Sequence, residues 1–409
     1  MTRTPEDHLA AVRELVGTRE ITELAPAAAV GRTLARAVVA VEDSPRFDNS
    51  QMDGYALGER HLAGGSFPVG PTVAAGHDPD ALLPGGIADA VVPVMTGARL
   101  PADTAAVVKV ETCTPPDFAA AETAGRVTVP AAPAGQFVRP QGSDIAAGSE
   151  LLPAGHVVNP RTVGVAAAQG ITGLPVRRPA RVLLCTGGDE ISEADGAGSA
   201  PNSATIRDAN GPLLAALCAR HGITVAGHVR TSDDPAVFRA LLHGAVTTHR
   251  PDAVITSGGI SHGRFEVVRQ VLGDASGTGG TGGTAWFGHV AQQPGGPQGC
   301  AVFAGVPVVC LPGNPVSTAV SFRLFVAPAL GEAPAPVTAV VDRDLTGLPA
   351  KDQFLRAVLS VDDTGRLTAS PVGGAGSHLL AQSVTASALL RVPAGAELSA
   401  GQTATVYPL

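Results

Sequence analysis

Residues 181–190 read Arg-Val-Leu-Leu-Cys-Thr-Gly-Gly-Asp-Glu: a short apolar run that breaks into two glycines and then two acids. The run over 182–185 predicts a buried strand, and the glycine pair predicts the tight turn that leaves it. The pattern then repeats along the chain. A helix is predicted over 212–221, a strand over 223–229, a helix over 235–248, a strand over 253–256 and a helix over 265–272. A strand over 308–311 and a long helix over 315–330 close the series. Strands alternating with helices imply a parallel, doubly wound sheet, because parallel neighbours need a crossover and a helix supplies it.

Ligands bind such a sheet outside the carboxyl ends of its strands. Three glycine-rich loops leave those ends: TGGDE (186–190), TSGGISHG (256–263) and LPGNP (311–315). Glycines there let backbone N–H groups approach an anion, so three loops at one edge point to a phosphate-bearing ligand. No G-x-G-x-x-G follows a strand, which disfavours a dinucleotide enzyme.

Working outward, Thr4-Pro5-Glu6-Asp7 starts a helix with a capping hydroxyl, a proline and two acids. Leu9, Val12, Leu15 and Val16 make its apolar face and Gly17 ends it. Residues 50–175 carry short valine-rich runs between Gly/Pro turns, the signature of small β-rich modules. Residues 273–284 read as a flexible surface insertion, 333–336 as a linker, and 338–409 as a small all-β domain. A chain of 409 residues is too long for one core, so two to four domains are expected.

The net charge of −8 and an aromatic content of 3% argue against a nucleic-acid partner, which asks for a basic face and stacking rings. The five cysteines form no CxxC pair and no zinc spacing, so they read as reduced thiols of a cytoplasmic protein. No apolar run nears the roughly 18 residues of a membrane span. In the N-terminal half, FDNSQMDGYA (47–56), MTGA (95–98) and RPQGSDI (139–145) pack polar residues into short loops. Acids in Gly-flanked loops either cap their own turns or meet a ligand, and the residues alone leave both readings open.

Taken in order, FDNSQMDGYA, MTGARLP (95–101), RPQGSDIAAG (139–148), TGGDEI (186–191), DAVITSGGISHG (252–263) and LPGNPVS (311–317) resemble the molybdopterin molybdenumtransferases, the family of MoeA and the gephyrin E domain. Gly376-Ser377-His378 extends the likeness into the last domain. The resemblance implies a multidomain α/β protein. Its parts would be an elongated N-terminal linker domain (1–50 and 145–178), an inserted β-rich domain (51–144), a central doubly wound α/β/α molybdopterin-binding domain (179–331) and a small C-terminal β domain (338–409). It also implies a cytoplasmic homodimer with its site between the central domain of one subunit and the N-terminal region of the other.

The implied reaction takes adenylylated molybdopterin and molybdate, inserts the metal at the dithiolene and releases AMP with the help of Mg²⁺. Pyrophosphate and molybdate repel each other, and a divalent cation held by carboxylate and phosphate oxygens offsets that repulsion. By resemblance, Asp53, Asp144, Glu190 and Glu266 are the catalytic acids, with Asp53, Glu190 and Glu266 as metal ligands. Thr96 and Ser377 would donate to oxyanions, while Gly258, Gly259, Ser261, Pro312, Gly313, Asn314 and Pro315 would bind substrate.

Three departures stand out. TGGDE is one glycine longer than the family's TGDE. After GGIS the chain has His262-Gly263-Arg264-Phe265-Glu266, with Arg264 where an acid is usual. Gln293-Pro294-Gly295-Gly296-Pro297 replaces KPGKP and so lacks both lysines. Two functions fit: an active transferase in which Arg264 supplies part of the lost charge, or a divergent paralogue that binds a pterin nucleotide or a partner protein without efficient metal insertion.

Overall fold

The computed structural model describes residues 2–188, 191–192, 206–260, 266–273 and 285–409. The chain forms two compact units, Met1–Glu20 with Arg177–Leu409, and Ile21–Val176.

Helix α1 (Pro5–Val16) opens the first unit, with Thr4 and Asp7 capping each other and Gly17 at φ +62° ending it. Its Val12 is buried among Val182, Leu184 and Phe325, and Leu9, Leu15 and Val16 pack against the same cluster. The first twenty residues, grouped by sequence with the linker domain, therefore fold onto the α/β sheet, where their apolar stripe finds its counterpart.

That sheet is built from β1 (Arg181–Thr186), β2 (Thr224–Arg230), β3 (Ala253–Ser257), β4 (Trp286–His289), β5 (Pro297–Phe303) and β6 (Val306–Leu311), in the order β2-β1-β3-β6-β5-β4. The crossovers between β1, β2 and β3 include α2 (Asn210–Arg220) and α3 (Pro235–His249), and α4 (Val267–Gly273) follows β3. Alternation along each strand feeds two cores. Val182 and Leu184 face Leu214, Cys218 and Phe322, whereas Leu183 and Cys185 face Phe238, Leu242 and Val268. Both faces are covered, as a doubly wound sheet requires. The four strands β2, β1, β3 and β6 are parallel as expected, but β5 pairs antiparallel with both β6 and β4. The sheet is thus mixed. Its last two strands escape sequence reading because β4 is short and β5 begins in a Pro/Gly/Gln stretch. The long helix expected over 315–330 is α5 (Pro315–Ser321), a π turn (Phe322–Val326) and a final turn (Ala327–Leu330). Of the insertion expected over 273–284, Gly273 ends α4 and the remainder lies outside the described residues.

The C-terminal strands Val337–Val341, Asp352–Val361, Leu367–Pro371, Ala388–Val392 and Thr403–Pro408 close on themselves, because Asp352–Val361 pairs with both Leu367–Pro371 and Ala388–Val392. The narrow barrel is filled largely by alanines, including Ala339, Ala357, Ala369, Ala388 and Ala404. Closure removes the sheet edges.

In the second unit, Gly54–Leu57 is the middle of a three-stranded sheet between Val92–Val94 and Ala106–Lys109. Tyr55 and Leu57 face one core, and Ala56 faces another with Val92 and Val107. A Cβ on Gly54 would lie 1.9 Å from the Val108 carbonyl oxygen, so only glycine fits beside Asp53. A third core gathers Ala29, Leu34, Leu152, Val158, Leu174 and Val176. Among the described residues no helix is long and apolar enough to cross a membrane.

Candidate active site

The adjacent parallel strands β1, β3 and β6 deliver their loops to one edge of the sheet, as the glycine spacing predicts. Gly187, Gly258 and Gly259 adopt φ of +103°, +95° and +65°, a backbone region that glycine alone enters at no steric cost. Gly258 and Gly313 touch: a Cβ on Gly313 would lie 3.1 Å from the Gly258 Cα. The second and third loops are then tied together. Gly258 N–H donates to the Leu311 carbonyl at 3.1 Å, and the Ser257 and Thr318 hydroxyls reach the Pro312 carbonyl at 3.0 and 2.7 Å. Asn314 caps α5 by accepting from Val316 N–H at 3.1 Å, which commits its side-chain oxygen to the helix and leaves its amide nitrogen for a ligand. Gly258, Gly259, Pro312, Gly313, Asn314 and Pro315 are thus brought together.

Glu266 immediately precedes α4. Glu190, Ser261 and Arg264 lie outside the described residues. Asp53 and Thr96 meet in the second unit. Asp53 Oδ1 accepts the Thr96 backbone N–H at 2.6 Å and the Thr96 hydroxyl at 2.8 Å. Those two donors hold the Asp53 carboxyl below its ordinary range, the backbone N–H most of all. Oδ2 has no partner among the described residues. The Thr96 hydroxyl proton is spent on Asp53, so this threonine orients the carboxylate. Asp144 is exposed and accepts from the Ser44 hydroxyl at 3.3 Å. No cluster of three or more His, Cys, Asp or Glu side chains able to hold a metal exists among the described residues. Mg²⁺ nonetheless fits a site with few protein carboxylates, because it accepts one or two of them together with substrate phosphate oxygens and water.

The positions of the missing lysines are neutral throughout. Beside Gln293 and Gly296, the buried Gln292 and Gln298 amides donate to the carbonyls of Pro294 (2.9 Å) and Gly295 (2.7 Å), and Gln298 also donates to Ser321 Oγ at 2.6 Å. Sequence reasoning missed a nearby cation of the same unit. Arg356 is buried, its Nη2 donates to the Gly374 carbonyl, and its Nε has no partner among the described residues. Gly374 lies three residues before Ser377, whose turn is closed by Leu379 N–H donating to the Gly376 carbonyl at 3.4 Å. Arg356 lines a cavity of about 540 Å³ with Leu213, Leu217, Arg323, Leu380 and Leu389. A buried guanidinium with an unsatisfied donor is costly unless an anion meets it. The available signal was an arginine on the face of the strand Asp352–Val361 opposite the barrel core, in step with the buried Asp352 and Phe354.

Family models match almost the whole chain: "MoeA N-terminal region (domain I and II)" over residues 3–170, "Probable molybdopterin binding domain" over 183–332, and "MoeA C-terminal region (domain IV)" over 338–409. Molybdopterin molybdenumtransferase 2 of Mycobacterium tuberculosis is 35% identical over 422 aligned positions, covering 100% of both chains. The molybdopterin molybdenumtransferase of Synechococcus elongatus is 36% identical over 73% of this chain and 72% of its own. A solved moeA protein of Pyrococcus horikoshii superposes with a TM-score of 0.79 over 100% of this chain and 99% of its own; at 24% identity that likeness speaks for the fold.

Proposed function

The chain belongs to the MoeA family of molybdopterin molybdenumtransferases, and from that premise we propose how its residues divide the work of metal insertion. It is a transferase of molybdenum cofactor biosynthesis that inserts molybdenum into molybdopterin. The pterin enters as its adenylylated form and leaves with the metal bound while AMP departs, in a cytoplasmic homodimer. The observation that carries this reading is that the three strands ending in glycine loops are adjacent and parallel, so that all three loops leave one edge of the sheet, where glycine backbone can approach a pyrophosphate.

Each part of the chain has a task. The 256–260 and 311–315 loops bind the phosphate-bearing end of the substrate. Asp53, fixed by Thr96 and ionised, offers Oδ2 to a divalent cation. Asp53, Glu190 and Glu266 are the residues that would hold Mg²⁺, with Asp144 as a further catalytic acid. When bound, Mg²⁺ neutralises phosphate charge and polarises the bond to be cleaved. Molybdate, a dianion, is drawn to guanidinium rather than to lysine: Arg356 with the Ser377 hydroxyl, assisted by Arg264. Purified protein given adenylylated molybdopterin, molybdate and Mg²⁺ should release AMP in step with metal insertion, and chelation should stop both. Tight binding of the substrate with no AMP release would overturn the reading in favour of a binding paralogue.

A further inference from the structure

The short stretch between the first glycine loop and α2 makes contacts that substrate binding does not require. Thr186, fully buried at the carboxyl end of β1, places its hydroxyl oxygen 3.0 Å from Asp208 Oδ2 and 2.6 Å from His228 Nε2. A threonine hydroxyl has one proton. It goes to the carboxylate, so His228 must donate its Nε2–H to the same oxygen, whether the imidazole is neutral or charged. The chain is therefore His228 to Thr186 to Asp208, each link with a donor and an acceptor.

Asp208 does more than end that chain. Its Oδ1 accepts Gly211 N–H at 2.9 Å in the first turn of α2. A Cβ on Gly211 would lie 2.6 Å from Asp208 Oδ2 and 2.8 Å from His228 Cε1, so the glycine lets the helix begin against the cluster. From the far side, Thr231 donates its N–H to the Thr186 carbonyl at 3.0 Å and its hydroxyl to the Gly187 carbonyl. Two residues beyond Asp208, Asn210 donates Nδ2–H to the Gly313 carbonyl at 2.6 Å. One segment, 206–210, thus grips the start of the first glycine loop and the middle of the third.

We propose that Asp208, His228 and Asn210 are positioning residues that lock these two loops, at Thr186 and Gly313, before substrate arrives. The proposal rests on the reading of these loops as the phosphate cradle. The first loop is the one lengthened by a glycine, and a free glycine has the most backbone freedom to lose on binding. Fixing Thr186, Gly187 and Gly313 in advance removes part of that loss, which is affinity gained by preorganisation. None of the three side chains has to touch a reacting atom.

The experiment pairs steady-state kinetics with amide hydrogen exchange on His228→Leu, His228→Gln and Asn210→Ala. His228→Leu should raise KM for adenylylated molybdopterin about tenfold and change kcat less than threefold, the loss expected for one buried hydrogen bond. His228→Gln, which keeps an N–H donor, should recover most of the affinity. Exchange should speed up in peptides spanning 181–188 (His228→Leu) and 309–313 (Asn210→Ala), while the barrel strand 352–361 keeps its protection. A KM within twofold of wild type with unchanged exchange at both loops overturns the proposal, as does exchange that rises equally in the barrel. Wild type that is inert toward adenylylated molybdopterin, with the local exchange response intact, overturns the substrate reading and leaves the locking role standing.

Discussion

Both hydrogen bonds from Thr96 to Asp53 fall on Oδ1, so substitution can separate the charge of this carboxylate from its orientation. Asp53→Asn keeps the shape but offers a cation no negative oxygen, and turnover should vanish while substrate binding and melting temperature stay close to wild type. Thr96→Val retains the backbone donor and loses the hydroxyl, so kcat should fall about tenfold, the effect of one hydrogen bond to a charged group. Because the folded carboxyl lies below its unfolded value, any stabilisation from the pair is present above about pH 4 and fades only as pH falls through the folded value. A pH–rate profile between 5 and 9 should show no limb from Asp53. At the anion end, calorimetric titration with molybdate tests Arg356→Ala and Arg264→Ala. Losing a charge-assisted contact worth roughly 1.5–3 kcal/mol weakens affinity roughly 10- to 150-fold, and unchanged affinity in both variants returns weight to the divergent paralogue.

At the scale of elements, the entry of the sheet is pinned by Asp252, just before β3. Its carboxylate accepts from Arg178 Nη1 and Nη2 at 3.1 and 2.7 Å and from Arg181 N–H at 2.7 Å, joining the starts of β1 and β3. Burial raises the Asp252 carboxyl, but the Arg178 and Arg181 donors outweigh it and leave the group below its ordinary value. Side-chain exposures of 37% for Arg178 and 26% for Asp252 mean that solvent screens part of the attraction. Asp252→Ala should cost about 1–2 kcal/mol in urea unfolding, with loop activity little changed. The difference between wild type and variant should be full above about pH 4 and shrink as the solution is acidified below it. Equal stability at pH 7 would make the clamp a bystander. The strands β1, β3 and β6 were legible because each is an unbroken apolar run with a glycine loop at its end. β4 and β5 were not, because their pairing is set by partners and their own composition is mixed.

For the whole molecule, the prediction concerns two copies. Asp53 belongs to one compact unit and Gly259 to the other. If the working homodimer shares its sites between subunits, an Asp53→Asn chain mixed with a Gly259→Trp chain forms heterodimers with one intact site. Random exchange should then restore roughly a quarter of wild-type turnover. Verified heterodimers with no recovery would mean that each site is built within one chain.

The sequence by itself determined the alternation of strands and helices, the three glycine loops, the Thr4–Asp7 cap and the small β domain, and through its ordered motifs it pointed to the family. These are local facts, set by propensity, period and steric need within a few residues: Gly258 and Gly259 read as loop glycines because positive φ needs no partner. Only the tertiary structure decided what depends on distant partners. It placed α1 on the α/β sheet, closed the barrel, turned β5 antiparallel, buried Arg356 with its Nε unpartnered among the described residues and joined Thr186 to Asp208 and His228. Arg391 pairs with Glu6 across 385 positions of sequence, and such a contact is chosen by packing, because burial rewards complementary faces however far apart they lie in the chain.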